Sequence, residues 1–177
     1  MSFCNTLEEI AKSCSGNTGG IVSAWINNGA IYDAVTTDAT SLVTGVTLLS
    51  AVTSFVQFAF NPNTSNYVET STIDLVNGST FYNQTITIQL SRREADKRRK
   101  LLLLALGQPG LTFVIKDSNG LYWLFGSDDD KVYLTGNEGG SGTAKADLNG
   151  YTLTFTCEDA KPVFEIQEAT ALALIAA

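Results

Sequence analysis

Two arms of alternating character meet at Asn77-Gly78, and this arrangement limits the fold more than any other feature of the chain. "YVETSTIDLV" precedes the pair and "STFYNQTITIQL" follows it. Asn-Gly between two such arms is the strongest short-range hairpin signal. In the second arm Ile86, Ile88 and Leu90 alternate with Thr85, Thr87 and Gln89, which predicts one buried and one polar face. Arms of about ten residues would reach roughly 30 Å, well beyond the ordinary strand of about five or six residues. A chain built on such a hairpin is a sheet protein.

The remaining segments agree. "IVSAWI" (21–26), closed by Asn28-Gly29, reads as a strand, and "VTLLSAVTSFVQFAF" (46–60) carries strand signals. "LTFVIKD" and "LYWLFG" flank Asn119-Gly120 as a second hairpin. "KVYLT" is a short strand leading into a Gly-rich loop at 136–142. Asn149-Gly150 then turns into "YTLTFTCED", where Tyr151, Leu153, Phe155 and Cys157 share one face. Residues 33–43, rich in Thr and Asp, read as a loop. Charged residues make up 16% of the 177 against a typical share of about 25%, and Thr, Ser, Asn and Gly fill the gap, as strands and turns require. The expected fold is mainly β, with about eight or nine strands in a β-sandwich or partly closed barrel. One α-helix flanks it at about 92–106. The expected divisions are an N-terminal arm or short helix (1–20, with a capping box at Thr6 and Glu9), a β-domain (21–165) and an apolar C-terminal tail (166–177).

One run breaks the low-charge pattern. "SRREADKRRKLLLLALGQPG" (91–110) holds six of the eleven Lys and Arg residues, and Ser91 with Glu94 has the form of a capping box. Its six cations and two carboxylates make a local +4, which leaves −11 for the rest of a chain whose net charge is −7. The run lacks the interleaved aromatic residues that stack on bases. Basic and apolar residues stand in series rather than on opposite faces, unlike a membrane-surface helix. At 100° per residue Leu101 to Leu104 point all round the axis, and a single sheet covers only one side of them. A core helix with a solvated first half is one reading. The favoured one is a helix that a second subunit completes, with Arg92, Arg93, Lys97, Arg98, Arg99, Lys100, Leu101, Leu103 and Leu104 as candidate interface residues. The tail "EATALALIAA" either folds back or docks on a neighbour, and docking makes Leu172, Leu174 and Ile175 further candidates.

Catalysis has little to stand on. The chain has no His, which removes the triad and zinc-hydrolase chemistries that depend on it. Cys4, Cys14 and Cys157 are odd in number and lack CxxC spacing, so neither a disulfide framework nor a structural zinc site is expected. Asp128, Asp129 and Asp130 are adjacent rather than alternating, which favours a solvated turn over a cation loop. Gly139-Gly140-Ser141-Gly142 lacks phosphate-loop spacing. No enzyme activity, cofactor or metal is expected. No apolar run reaches the ~20 residues of a membrane span, so no membrane anchor is expected.

Four segments together resemble a known family: "NTGGIVSAWI" (17–26), "STFYNQTITIQLSRREADKRRKLLLLA" (79–105), "KDSNGLYWLFG" (116–126) and "SGTAKADLNGYTLTFTCED" (141–159). In content and order they are similar to the tail tube (major tail) proteins of long-tailed bacteriophages, especially phages of Bacteroidetes. The resemblance implies a β-sandwich or barrel beside one helix, with six copies in a ring and rings stacked into a tube for genome passage. Long hairpins would join around the ring, which makes Thr70, Thr72, Asn77, Gly78, Thr85 and Thr87 candidate lumen or inter-subunit residues. The implied partners are copies of the chain itself, other phage tail proteins and genomic DNA passing without specific binding. The implied location is the virion tail, after synthesis in the bacterial host cytoplasm. The N-terminal lead and the apolar tail depart from the family pattern. Another virion component (head-tail connector, tail terminator or capsid decoration) and a small DNA-binding module are the alternatives.

Overall fold

The computed structural model describes residues 15–28, 32–48, 55–107, 110–126 and 130–176. In chain order these form β1 (Ile21–Asn28), β2 (Tyr32–Thr37), β3 (Val43–Leu48), β4 (Val56–Phe58), β5 (Asn66–Asp74), β6 (Ser79–Ser91) and α1 (Ala95–Gly107). There follow β7 (Leu111–Asp117), β8 (Tyr122–Phe125), β9 (Tyr133–Gly140), β10 (Gly150–Asp159), β11 (Phe164–Ile166) and α2 (Glu168–Ala176). A seven-stranded sheet runs β2-β3-β11-β8-β7-β1-β4, and a four-stranded sheet runs β5-β6-β10-β9. The chain is therefore mainly β, with two open sheets rather than a closed barrel.

The long hairpin forms as its alternation demands. β5 and β6 pair antiparallel from Asn66↔Thr87 to Asp74↔Ser79, and Gly78 takes the positive φ (67°) that the turn needs. β6 and β10 then pair over ten consecutive positions, Tyr82↔Asp159 to Ser91↔Gly150. This register brings Ile86, Ile88, Leu90, Leu153, Phe155 and Cys157 onto one face, all buried. They meet Ile21, Ala24, Leu111, Phe113 and Ile115 of the larger sheet. Phe113 and Phe155 cross at 4.9 Å between ring centres, edge to face, so aromatic contact joins the two layers.

The seven-stranded sheet is buried on its second face as well. Val114, Tyr122, Leu124 and Ile166 form a separate cluster with Val43, Phe55, Ala171 and Leu174. This explains why β7 reads as a continuous apolar run instead of an alternating one. α2 supplies the cover: Thr170 Oγ1 donates to the Thr44 carbonyl at 2.9 Å and the Gln167 N–H to that of Val43 at 2.9 Å. The boundary placed at 166 thus falls inside β11, and the apolar tail is a helix packed on its own sheet.

Several local expectations are corrected. Residues 33–43 contain most of β2, not only a loop. The Gly-rich stretch continues as strand to Gly140, and Gly150 is the first residue of β10, paired with Ser91 and Gly140, not part of a turn. The flanking helix starts at Ala95, because Ser91 ends β6 and Arg92 takes a left-handed φ of 63°. The first helical bond runs from the Arg98 N–H to the Glu94 carbonyl at 3.0 Å, so the capping box centred on Ser91 does not form. The proposed helix at 6–14 lies outside the described residues, as do Asp128 and Asp129 of the acidic triplet.

Candidate self-assembly surfaces

α1 turns one narrow stripe inward. Lys97, Leu101 and Leu104, spaced four and three residues apart, share a face. Leu101 is only 4% exposed within the main core, and Leu104 packs at that core's margin. Leu103, by contrast, is 60% exposed and Leu106 74%, with Leu102 similarly bare. The domain's own sheets therefore cover one side of the leucine run and leave the other open. Leu101 leaves the candidate interface, because its side chain is already enclosed. Leu103 stays in it, and Leu102 and Leu106 join.

The basic residues divide by what they touch. Arg92 Nε lies 3.1 Å from the Glu94 carboxylate, which Lys97 approaches at 3.8 Å. Lys97 also donates to the carbonyls of Ser91 (2.7 Å) and Arg92 (3.3 Å), tying off the end of β6. Asp96 pairs with Lys100 at 2.8 Å and with Arg99 at 3.4 Å, and the hydrogen bond from Lys100 heads the causes that hold its carboxyl below the usual range. Arg93 lies over the ring of Tyr151, 5.5 Å from its centre. Among the described residues Arg98 has no ion-pair partner. It lines a groove of about 700 Å³ between the start of α1 and Ser141, Asn149 and Tyr151. Arg92 and Arg93 precede the helix, which begins at Ala95.

The other candidate surface is the outward face of the four-stranded sheet. Strand pairing places Thr70, Thr72, Thr85 and Thr87 on the side opposite the core, joined by Thr152, Thr154 and Thr156 of β10. None of the four strands contains a Lys or Arg, whereas they hold Glu69, Asp74, Glu138, Glu158 and Asp159. Asn77 and Gly78 are not on this wall. They form the hairpin turn, where Asp74 accepts from the N–H groups of Val76 (2.8 Å) and Asn77 (3.2 Å) and from the Asn77 side chain. Both edges of this sheet, β5 and β9, lack a strand partner among the described residues.

In the C-terminal helix Leu174 is 4% exposed and belongs to the second core cluster, with Ile175 partly buried beside it. Leu174 therefore drops out as a docking residue, because it stabilises its own subunit. Leu172 points outward. The sequence reading missed Leu75 and Val76, which crown the hairpin turn almost wholly exposed, at 91% and 93%. The signal was visible: two apolar residues immediately before Asn-Gly, where a turn would ordinarily be polar.

Among the described residues no group of three His, Cys, Asp or Glu side chains could hold a metal ion. No helix among them is long and apolar enough to cross a membrane. Comparison with sequence families, with curated proteins and with solved structures finds no match.

Proposed function

We propose that this chain is a structural subunit that assembles with copies of itself into rings, stacked as the tail tube of a long-tailed bacteriophage. The observation that carries the reading is the four-stranded sheet, which among the described residues has no strand partner at either edge and whose Thr-rich strands contain no Lys or Arg. Its strands alternate in direction through three antiparallel pairings, so β5 and β9 run oppositely. When rotation about an axis along the strands brings β9 of one copy beside β5 of the next, the pairing is again antiparallel. Four strands per copy can therefore close into a continuous barrel without a mismatched seam. Closure satisfies edge groups that would otherwise invite uncontrolled pairing.

The barrel wall would offer hydroxyls and carboxylates to passing DNA. Cationic contacts with phosphate supply nearly all non-specific affinity, so a wall without them lets a duplex slide. The exposed leucines and Arg98 of α1 lie away from this wall and serve the contact between copies. A head-to-tail ring requires two different complementary patches, and a local +4 on a −11 remainder provides one charge pair for it. The DNA-binding alternative draws less support, since Arg92, Lys97, Arg99 and Lys100 already face the carboxylates of Glu94 and Asp96.

Negative-stain microscopy and sedimentation of the purified full chain test the reading. Rings or tubes are expected. A folded monomer at high concentration overturns it.

A further inference from the structure

Asn-Gly occurs four times in the chain, beginning at Asn28, Asn77, Asn119 and Asn149. Asparagine is one of the thermolabile side chains, and a following glycine offers a backbone nitrogen with no side chain to hinder its approach. The fold decides which of these dipeptides is free to react. Gly29 lies outside the described residues, so the comparison falls on the other three.

Two of them are held. Asn119 Oδ1 accepts from the Thr18 N–H at 2.8 Å, and Asn119 Nδ2 donates to Asn17 Oδ1 at 3.1 Å. The Gly120 N–H is engaged as well, donating to the Asp117 carbonyl at 3.2 Å. Amide and nucleophile are thus both tied into the turn between β7 and β8. At Asn149-Gly150 the glycine is buried inside the smaller sheet, paired with Ser91 on one side and Gly140 on the other. The Asn149 carbonyl is fixed by the Arg92 N–H at 2.6 Å. Gly150 cannot turn towards the Asn149 side chain without parting those strands.

Asn77-Gly78 differs. Both residues are exposed at the hairpin turn. The Gly78 N–H donates no hydrogen bond to another described residue, and a side chain built at Gly78 would meet open space. Among the described residues the Asn77 amide has a single tie, from Nδ2 to Asp74 Oδ2 at 2.5 Å.

We propose that Asn77 is a site of spontaneous deamidation. The Gly78 nitrogen bonds to Asn77 Cγ, and the Cγ–Nδ2 bond breaks. The proton of the attacking nitrogen, relayed by water, leaves with the amide group as ammonia. Water then opens the resulting cyclic imide at either carbonyl. One opening leaves Asp at position 77; the other leaves isoaspartate, in which the main chain runs through the side-chain carbon. Nothing is oxidised or reduced, and one water is consumed for each ammonia released.

Asp74 gives the change its consequence. Its carboxylate accepts from the N–H groups of Val76 and Asn77 and from the Asn77 amide. The two bonds from Asn77 head the causes that hold the Asp74 carboxyl below its usual range. After deamidation a second carboxylate stands where the amide donor was. Repulsion between like charges replaces the tie, and the turn that carries Leu75 and Val76 loosens. This change belongs to the single subunit and does not depend on assembly.

The test follows the full chain in warm, weakly alkaline buffer by peptide mapping that separates Asn, Asp and isoaspartate. Asn77 is expected to convert at least about tenfold faster than Asn119 or Asn149, which must first break hydrogen bonds. In denaturant the three rates should converge. A folded chain in which Asn77 reacts no faster than the other two overturns the proposal. So does a ranking that persists unchanged in denaturant, which would place its origin in the neighbouring sequence. Asn77→Asp, which carries one product from the outset, tests the consequence: by NMR titration its Asp74 carboxyl should titrate higher than in the wild type. An unchanged titration removes the role given to Asp74.

Discussion

The guanidinium of Arg93 lies 5.5 Å from the centre of the Tyr151 ring, so the cation just before α1 rests on the start of β10. Tyr151 is itself buried, and the pair links the helix start to the smaller sheet. Arg98, in the first turn of α1, makes no such contact. Arg93→Ala is expected to lower stability by about 0.5–1 kcal/mol. Arg98→Ala should leave the melting temperature unchanged and weaken assembly. Thermal denaturation and sedimentation of the two variants, side by side, check this division.

The leucine run separates stability from assembly in the same way. Leu101→Ala removes an enclosed core side chain and is expected to cost about 2–5 kcal/mol in denaturant unfolding. Leu103→Glu alters an exposed position, so its effect on the folded subunit should stay within about 0.5 kcal/mol, while ring formation is lost. Equal effects of both substitutions on unfolding would contradict the burial pattern of α1.

Gly150 has no room for a side chain. A Cβ there would run into the carbonyl oxygen of Leu90, on the strand paired beside it. The obstacle is backbone and cannot swing aside, so Gly150→Ala is expected to destabilise by up to about 3 kcal/mol. A urea titration of the variant with an unchanged midpoint would rule this out.

Alkali should loosen the subunit. Burial first, then the carboxylates of Asp159 and Asp130, pushes the Cys157 thiol up to about 12 from an ordinary 9.0. Burial, then Asp117 and Glu69, pushes the Tyr67 phenol up to about 12 from 10.0. Both groups stay protonated in the folded chain while the unfolded chain ionises. Their stabilising contribution is thus complete below about pH 9 and is lost as the pH climbs towards 12. Unfolding midpoints should hold up to about pH 9 and fall from there to pH 11. In a chain with Ser at positions 4 and 14, the Cys157 thiol should resist alkylation at pH 8 until denaturant is added.

Placing cations on the Thr-rich face tests the proposed sliding of DNA past it. Thr85→Lys/Thr87→Lys is expected to assemble and to retain duplex DNA at low salt, with release as salt rises. Wild-type assemblies should not retain it. Co-sedimentation across a salt series distinguishes the two.

Period-two alternation assigned the buried faces of β6 and β10 directly from the sequence. Asn77-Gly78 and Asn119-Gly120 located two hairpins, because a positive-φ requirement is local and only a few residues meet it. The same dipeptide at Asn149-Gly150 misled for an equally physical cause: there glycine answers the close approach of Leu90, which no local pattern reveals. The continuation of β9 through Gly136, Gly139 and Gly140 was hidden likewise, since Tyr151 packs against the Gly139 position.

The sequence by itself determined that this is a sheet protein with one basic, leucine-rich helix, and which side of its longest strands faces inward. Only the tertiary structure decided that Leu101 and Leu174 belong to the interior while Leu103, Leu75 and Val76 do not. It also decided that β11 lies parallel to β3 and that α2 covers the second face of the larger sheet. The reason is range. Turn chemistry and side-chain alternation act between residues a few positions apart, whereas enclosure of a side chain depends on which distant strand or helix comes to lie over it.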